Sequence, residues 1–202
     1  MKSHSILILV IMMVAAVAGR TWATKTIRYR TTVVDIVDGD TIVITNKVVG
    51  HGVTMRPQGP VDLDAVDAPE LDQAGGPEAK AFLEKFVKGK EVFIVELTDG
   101  GKSRGAWVFV DSKKDGKRTS VNAVMLQKGF AWHTKPKAHY AISFGEPKEA
   151  NGQMSRVQKE AKDKKAGIWA KENPTPPWEW RKRKEKEAAE KKKQGASEEV
   201  SE

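Results

Sequence analysis

The segment VDLDAVDAPE, which spans residues 61–70, places four carboxylates among apolar residues: Asp62, Asp64, Asp67 and Glu70. Carboxylates are costly to bury without a compensating partner, so such a cluster is typical of a site that holds water, cations or a metal ion. Side chains alternate between the two faces of a strand, and a strand in this segment would direct Asp62 and Asp64 to the same side. We therefore expect Asp64 to face solvent with Asp62.

The flanking sequence predicts the elements that must position these acids. Residues 28–49 alternate β-branched and polar residues around Asp38-Gly39-Asp40, which predicts two strands joined near that turn. Further strands are predicted at 61–66, 91–97 and 105–111. Helices are predicted from Pro77 to Gly89, at 120–128 with Ser120 as the N-cap, and at 149–167. This order of elements predicts an α+β fold, a five-stranded barrel of the OB type with about three packed helices.

Three motifs occur in barrel order: VDGDTIVI (37–44), VDAPE (66–70) and SRGAWVFV (103–110). Each motif alone is weak, but together, and followed by VNAVMLQKGFAW (121–132), they resemble the staphylococcal nuclease (thermonuclease) family over residues 28–170. The resemblance implies an OB-type nuclease domain that hydrolyses DNA or RNA and uses Ca²⁺ as its cofactor.

The resemblance also implies a role for individual residues. Asp40 and Asp67 match the calcium-binding carboxylates of the family, and Ala68 stands where the family uses a backbone carbonyl. Glu70 matches the acid that orients or deprotonates the attacking water, and Arg104 matches an arginine that contacts the scissile phosphate. These residue types suit phosphodiester hydrolysis, in which negative charge develops on the phosphoryl oxygens. The alternatives are structural: Asp40 would shape a turn, Asp67 would cap a helix, Glu70 would lie in a first helical turn, and Arg104 would be a surface residue.

The sequence departs from the family pattern at the phosphate. The family has an arginine five residues before the second calcium aspartate, where this chain has Asp62. A carboxylate beside a phosphate repels it, by about 1 kcal/mol at 4 Å in bulk water and more in a partly buried cleft. Lys102-Ser103 replaces the family's Tyr-Gly. One hypothesis is that Arg56, in the long connection before residue 60, folds back to supply the missing phosphate contact, assisted by Lys102.

The N-terminal sequence predicts export. Lys2 precedes an unbroken apolar run from Ile6 to Ala18, and small residues follow up to Ala23, which is typical of a signal peptide over residues 1–23. The run is short for a membrane span, so we expect no stable membrane insertion after cleavage and a secreted or periplasmic protein. The chain has no cysteine, so its stability depends on the core rather than on disulfides.

The charge balance favours a polyanionic partner such as DNA or RNA. The formal net charge is +8, or +6 without residues 1–23, which hold Lys2 and Arg20 and no acidic residue. Residues 171–202 are proline-rich and then highly charged, and we expect a flexible C-terminal tail there. The leading interpretation is a monomeric, calcium-dependent nuclease. A catalytically impaired nucleic-acid-binding module of the same fold is the alternative that Asp62 favours, and an interaction protein that uses its tail is a third.

Overall fold

The computed structural model describes residues 25–45, 47–49, 54–56, 58–99, 102–111, 116–134 and 147–199. The N-terminal segment 1–23, with its predicted signal peptide, lies outside them. No helix among the described residues is both long enough and apolar enough to cross a membrane.

The centre of the fold is an antiparallel sheet in the strand order β5-β2-β1-β7-β8-β9. Two short pairs, β3 with β4 and β6 with β10, lie outside this sheet. The strands are β1 (Lys25–Ile36), β2 (Thr41–Ile44), β3 (Lys47–Val49), β4 (Thr54–Arg56), β5 (Gly59–Asp62), β6 (Val66–Asp67), β7 (Glu91–Asp99), β8 (Lys102–Asp111), β9 (Arg118–Ser120) and β10 (Trp132–His133).

Four α-helices and one 3₁₀ helix accompany the strands in the described part of the chain. They are α1 (Gly76–Val87), α2 (Val121–Gln127), α3 (Pro147–Asp163), the 3₁₀ helix (Gly167–Ala170) and α4 (Pro177–Glu199). Helix α1 has Pro77 in its first turn and buries Ala79, Leu83 and Val87, which recur at helical spacing. Ser120 caps α2 as predicted, because its Oγ accepts a hydrogen bond from the amide of Ala123 at 3.2 Å.

The core lies between the sheet and the helices, and the strand pattern accounts for it. In β2 the residues alternate, so that Ile42 and Ile44 are fully buried while Thr41 and Val43 are only partly covered. Val33 of β1 and Ile94 of β7 are equally inaccessible. This sheet face and the buried face of α1 form one hydrophobic cluster, which fixes the position of the loops at the sheet end.

The predicted α+β class is confirmed, with differences in detail. Over the described residues the main sheet has six strands and is not closed, and four α-helices are present rather than about three. An isolated parallel bridge between Leu63 and Ala106 links the end of β5 to β8, which brings the two sides of the open sheet together. The segment expected to be a flexible tail is helical from Pro177 to Glu199.

Candidate active site

All the acidic residues singled out in the sequence except Asp64 line a cavity of about 410 Å³ at the end of the sheet. Twelve residues surround it, and five of them are carboxylates contributed by three segments of the chain. These five are Asp38, Asp40, Asp62, Asp67 and Glu70. The tertiary structure therefore assembles Asp40, Asp67, Ala68 and Glu70, the residues predicted from motifs about 30 residues apart, around the same space.

Asp40 is held by the tight turn between β1 and β2. Its amide donates to Asp38 Oδ1 at 3.1 Å, and its own Oδ2 accepts a hydrogen bond from the amide of Ala68 at 2.9 Å. Gly39 allows this close approach, because a Cβ at that position would lie 2.6 Å from Ala68 Cβ and 2.8 Å from Ala79 Cβ. The Asp-Gly-Asp turn thus packs directly on the Asp67–Ala68 segment.

Asp67 and Glu70 belong to the segment that joins β6 to α1. Asp67 pairs with Trp132 of β10, so its backbone is part of a ladder. The amide of Glu70 donates to Gln73 Oε1 at 3.2 Å, and the amide of Gln73 donates back to the Glu70 carbonyl at 2.9 Å. These reciprocal hydrogen bonds form a tight turn that begins at Glu70, and both carboxylates line the cavity.

The environment of Asp40 disfavours its charged form. Burial is the main cause that raises the pKa of the Asp40 carboxyl well above its usual value. Hydrogen bonding to Asp38 and the negative charges of Asp38 and Asp67 raise it further, whereas the Ala68 amide lowers it. A cation bound beside Asp40 would favour the charged form of this carboxyl.

A basic residue from the C-terminal helix also lies in the cavity. Arg181, in the second turn of α4, makes a bidentate ion pair with Asp67, with Nη1 3.1 Å from Oδ1 and Nη2 2.8 Å from Oδ2. Its Nη1 is also 2.6 Å from Glu70 Oε1. Hydrogen bonding to Asp67 is the main cause that raises the pKa of the Arg181 guanidinium above its usual value, so this side chain is cationic.

Arg181 was not among the residues predicted for the site. Its position within the run RKRKEK is typical of a solvated charge cluster, so the local sequence pattern does not single it out. The signal that could have indicated it is the preceding Trp178-Glu179-Trp180, because two tryptophans are unusual in a segment without packing contacts.

Asp62, at the end of strand β5, and Asp64, in the turn that follows, have opposite environments. Asp62 is exposed, lines the cavity and accepts a hydrogen bond from Thr41 Oγ1 at 3.1 Å. The prediction that Asp64 faces solvent is wrong, because Asp64 is buried and only 1% exposed. Strand β5 ends at Asp62, and the chain turns inward through Ala65 at φ 63°, so strand alternation no longer applies at Asp64.

The predicted phosphate contacts involve side chains outside the described part. The backbone of Arg104 lies in β8, two residues before Ala106, and Ala106 bridges to Leu63 of the cavity wall. The backbone of Arg56 lies in β4 and pairs with Lys47. The side chains of Arg104, Arg56 and Lys102 are not described, so their roles stay predictions.

The donors around the cavity suit a hard cation. Among the described residues, no group of three His, Cys, Asp or Glu side chains is arranged to hold a metal ion. Asp40 and Asp67 nevertheless line the same cavity, and their charges interact. Two carboxylates, a main-chain carbonyl at Ala68 and water are oxygen ligands of the kind that Ca²⁺ accepts. These donor types therefore match those that Ca²⁺ accepts, and Arg181 engages both oxygens of Asp67 in this structure.

Comparison with known proteins agrees with this arrangement. A family model described as staphylococcal nuclease homologue matches residues 60–171. The chain is 34% identical over 159 residues to the micrococcal nuclease of Shigella flexneri, and the aligned region covers 76% of this chain and 80% of that protein. It is 34% identical over 173 residues to Protein ParB of Escherichia coli, covering 83% of this chain and 85% of that protein.

A plant relative matches a shorter stretch. The chain is 33% identical over 124 residues to the staphylococcal-like nuclease CAN1 of Arabidopsis thaliana, covering 61% of this chain and 33% of that protein.

The fold and the family match together define a domain of the nuclease class. The chain belongs to the staphylococcal nuclease family. Arg181 lies beyond the residues that the family model matches.

Proposed function

We propose that this protein is an exported, calcium-dependent nuclease that hydrolyses phosphodiester bonds in DNA or RNA with little sequence preference. The observation that carries the proposal is the convergence of Asp40, Asp67, Ala68 and Glu70 on one acidic cavity in a chain of the staphylococcal nuclease family. Nuclease names among the relatives support the reaction class.

In this proposal each residue has a defined task. Asp40, Asp67 and the Ala68 carbonyl would hold Ca²⁺, which supplies positive charge beside the phosphoryl oxygens when bound. Glu70 accepts a proton from the water whose oxygen attacks phosphorus. As the new P–O bond forms, the P–O bond to the leaving oxygen breaks, and the leaving oxygen takes up a proton from solvent water. Arg104 is proposed to bind the scissile phosphate through its guanidinium, whose planar fork matches phosphate oxygens.

The test is cleavage of single-stranded DNA and RNA by the purified protein, with Ca²⁺ and with chelator. We expect product only with Ca²⁺. We expect E70Q to lose at least about a hundredfold in rate, because general base catalysis contributes at least that much. We expect D40A to lose activity as well, because it lacks one of the proposed Ca²⁺ ligands. Glu78→Gln is the matched control, since Glu78 is an exposed glutamate in the first turn of α1. Cleavage by E70Q at the wild-type rate would contradict the assignment.

A binding module with impaired chemistry is the second candidate. Asp62 favours it, because this exposed carboxylate lines the cavity that a phosphodiester would enter. The same experiment separates the two functions. Binding of DNA without cleavage under any Ca²⁺ concentration would identify the binding module.

Export is proposed from the sequence of residues 1–23. The test is expression of the entire chain in a bacterial host, with fractionation and determination of the N-terminus of the product. A new N-terminus after Ala23 in the periplasm or medium would support cleavage there, whereas recovery of the intact chain in the cytosol would contradict export.

A further inference from the structure

The described cavity contains one basic side chain among its five carboxylates, and that side chain comes from the C-terminal helix. The guanidinium of Arg181 contacts two of the three carboxylates to which the proposed function gives direct tasks, Asp67 and Glu70. Nη1 donates to both acids, and Nη2 donates to the second oxygen of Asp67. Arg181 therefore fixes these two carboxylates relative to each other.

The ion pair differs from an ordinary surface salt bridge. The Asp67 side chain is 16% exposed, and the pairing is bidentate, which is the geometry in which Arg–carboxylate contacts are strongest. Glu70 is 37% exposed, so without a partner its carboxylate would sample several rotamers. The contact with Arg181 holds one of its oxygens, Oε1, and within the described part of the chain no side chain engages the other, Oε2, which can accept a hydrogen bond from a water molecule.

Helix α4 is anchored by contacts that do not involve the guanidinium. Trp180 Nε1 donates to Asp72 Oδ1 at 2.9 Å, and Lys184 Nζ lies 3.0 Å from Asp72 Oδ2. Just before the helix, the Thr175 carbonyl accepts a hydrogen bond from Gln73 Nε2 at 2.6 Å. These contacts tie the start of α4 to the turn that carries Glu70, so removal of the Arg181 side chain leaves the helix attached.

We propose that Arg181 is a positioning residue of this site, which orients the Glu70 carboxylate for the attacking water and competes with a divalent cation for the Asp67 carboxylate. The competition follows from the contacts, because both oxygens of Asp67 are engaged by the guanidinium and a cation must displace at least one of them. The inference rests on the proposed nuclease function, and it makes the C-terminal helix part of the active site.

The experiment measures two quantities on wild type, R181A and R181K. Ca²⁺ affinity is measured by calorimetry on the protein without nucleic acid, and kcat is measured on single-stranded DNA at saturating Ca²⁺. We expect R181A to bind Ca²⁺ about tenfold more tightly, because a competing charge-assisted contact is gone. We expect its kcat to fall by about tenfold to a hundredfold, because Glu70 is no longer held in place. R181K should fall between R181A and wild type in both quantities, since lysine keeps the charge but lacks the fork.

Lys182→Ala is the matched control, because it removes the same charge from the next, exposed position of α4. Its Ca²⁺ affinity and kcat should equal those of wild type. Thermal unfolding of each variant reports whether α4 and the fold are retained. A merely structural role for Arg181 would weaken Ca²⁺ binding and turnover together, whereas the proposal requires them to change in opposite directions.

Three results would overturn the proposal. A higher kcat for R181A than for wild type would show that Arg181 inhibits the site. Unchanged kcat and Ca²⁺ affinity would show that its ion pair has no functional role. Weaker or undetectable Ca²⁺ binding by R181A would exclude competition for Asp67. If the proposed nuclease function is wrong, the wild type itself does not cleave nucleic acid, and this result is distinct from a failure of the inference about Arg181. Failure of the inference appears in the comparison of R181A with an active wild type.

Discussion

The Asp40 carboxyl is destabilising to the metal-free protein at neutral pH. Its pKa is raised well above the ordinary value, chiefly by burial and then by Asp38. Between the ordinary and the raised pKa, the folded state binds more protons at this group than the unfolded state does. The free energy of unfolding of the metal-free protein therefore falls as pH rises from the ordinary to the raised pKa of Asp40. Above the raised pKa it stays lower by the full cost of burying the charged carboxylate.

We therefore expect D40N to stabilise the metal-free protein at neutral pH, because the amide carries no charge to bury. Thermal unfolding of D40N and wild type at a series of pH values checks this. The difference in Tm should be largest at neutral pH and should shrink as the pH is lowered. Asp35→Asn on the exposed side of β1 is the control, since the pKa of Asp35 is lowered by Lys88 and the expected pH trend is opposite. A lower Tm for D40N at neutral pH would contradict the argument.

At the scale of elements, a buried side chain of α2 holds the cavity wall in place. Asn122 is fully buried, and its Oδ1 accepts a hydrogen bond from the Val108 amide at 3.0 Å. Its Nδ2 donates to the Asp64 carbonyl at 2.8 Å and to the Ala106 carbonyl at 3.0 Å. One amide thus joins α2, β8 and the turn after β5, from which the chain continues to Asp67.

Substitution of Asn122 by Ala removes all three hydrogen bonds and leaves buried backbone groups without them. We expect the free energy of unfolding to fall by about 2–3 kcal/mol, as measured by urea denaturation. We also expect a lower rate of nucleic-acid cleavage, since the turn leading to Asp67 loses its anchor. Gln127→Ala on the exposed side of the same helix should change stability by less than about 0.5 kcal/mol. Equal losses in both variants would show that Asn122 has no special role.

At the scale of the whole molecule, positive charge is concentrated outside the acidic cavity. The chain has 35 Lys and Arg residues against 27 Asp and Glu residues, although five of the acids line the cavity. Helix α4 continues beyond Arg181 with exposed lysines, among them Lys191, Lys192 and Lys193. A strand of nucleic acid attracted to this helix would be held close to the cavity by general electrostatics.

We expect affinity for single-stranded DNA to fall as salt concentration rises, with a logarithmic slope of about −0.7 for each phosphate neutralised. Replacement of Lys191, Lys192 and Lys193 by Gln should make the slope shallower and leave kcat at saturating DNA unchanged. The corresponding triple Arg variant, which keeps the charge, should retain the wild-type slope. Fluorescence anisotropy at several salt concentrations checks this, and equal slopes for the Gln variant and wild type would indicate that these lysines are only solvated.

The sequence alone determined the class of fold and the acidic part of the candidate site. The period-two pattern around Asp38-Gly39-Asp40 and the helical spacing after Pro77 are local signals, because each follows from neighbouring residues and backbone geometry. The resemblance carried by short motifs then indicated Asp40, Asp67 and Glu70, and the structure brings these residues to one cavity.

Only the tertiary structure decided which side chains accompany these acids. Asp64 is buried because the chain turns inward after β5, which strand alternation could not anticipate. Arg181 lies more than 100 residues from Asp67 along the chain, and its contact depends on how α4 docks through Trp180 and Thr175. Such docking is set by packing and hydrogen bonds between distant segments, and a local charge pattern does not encode it.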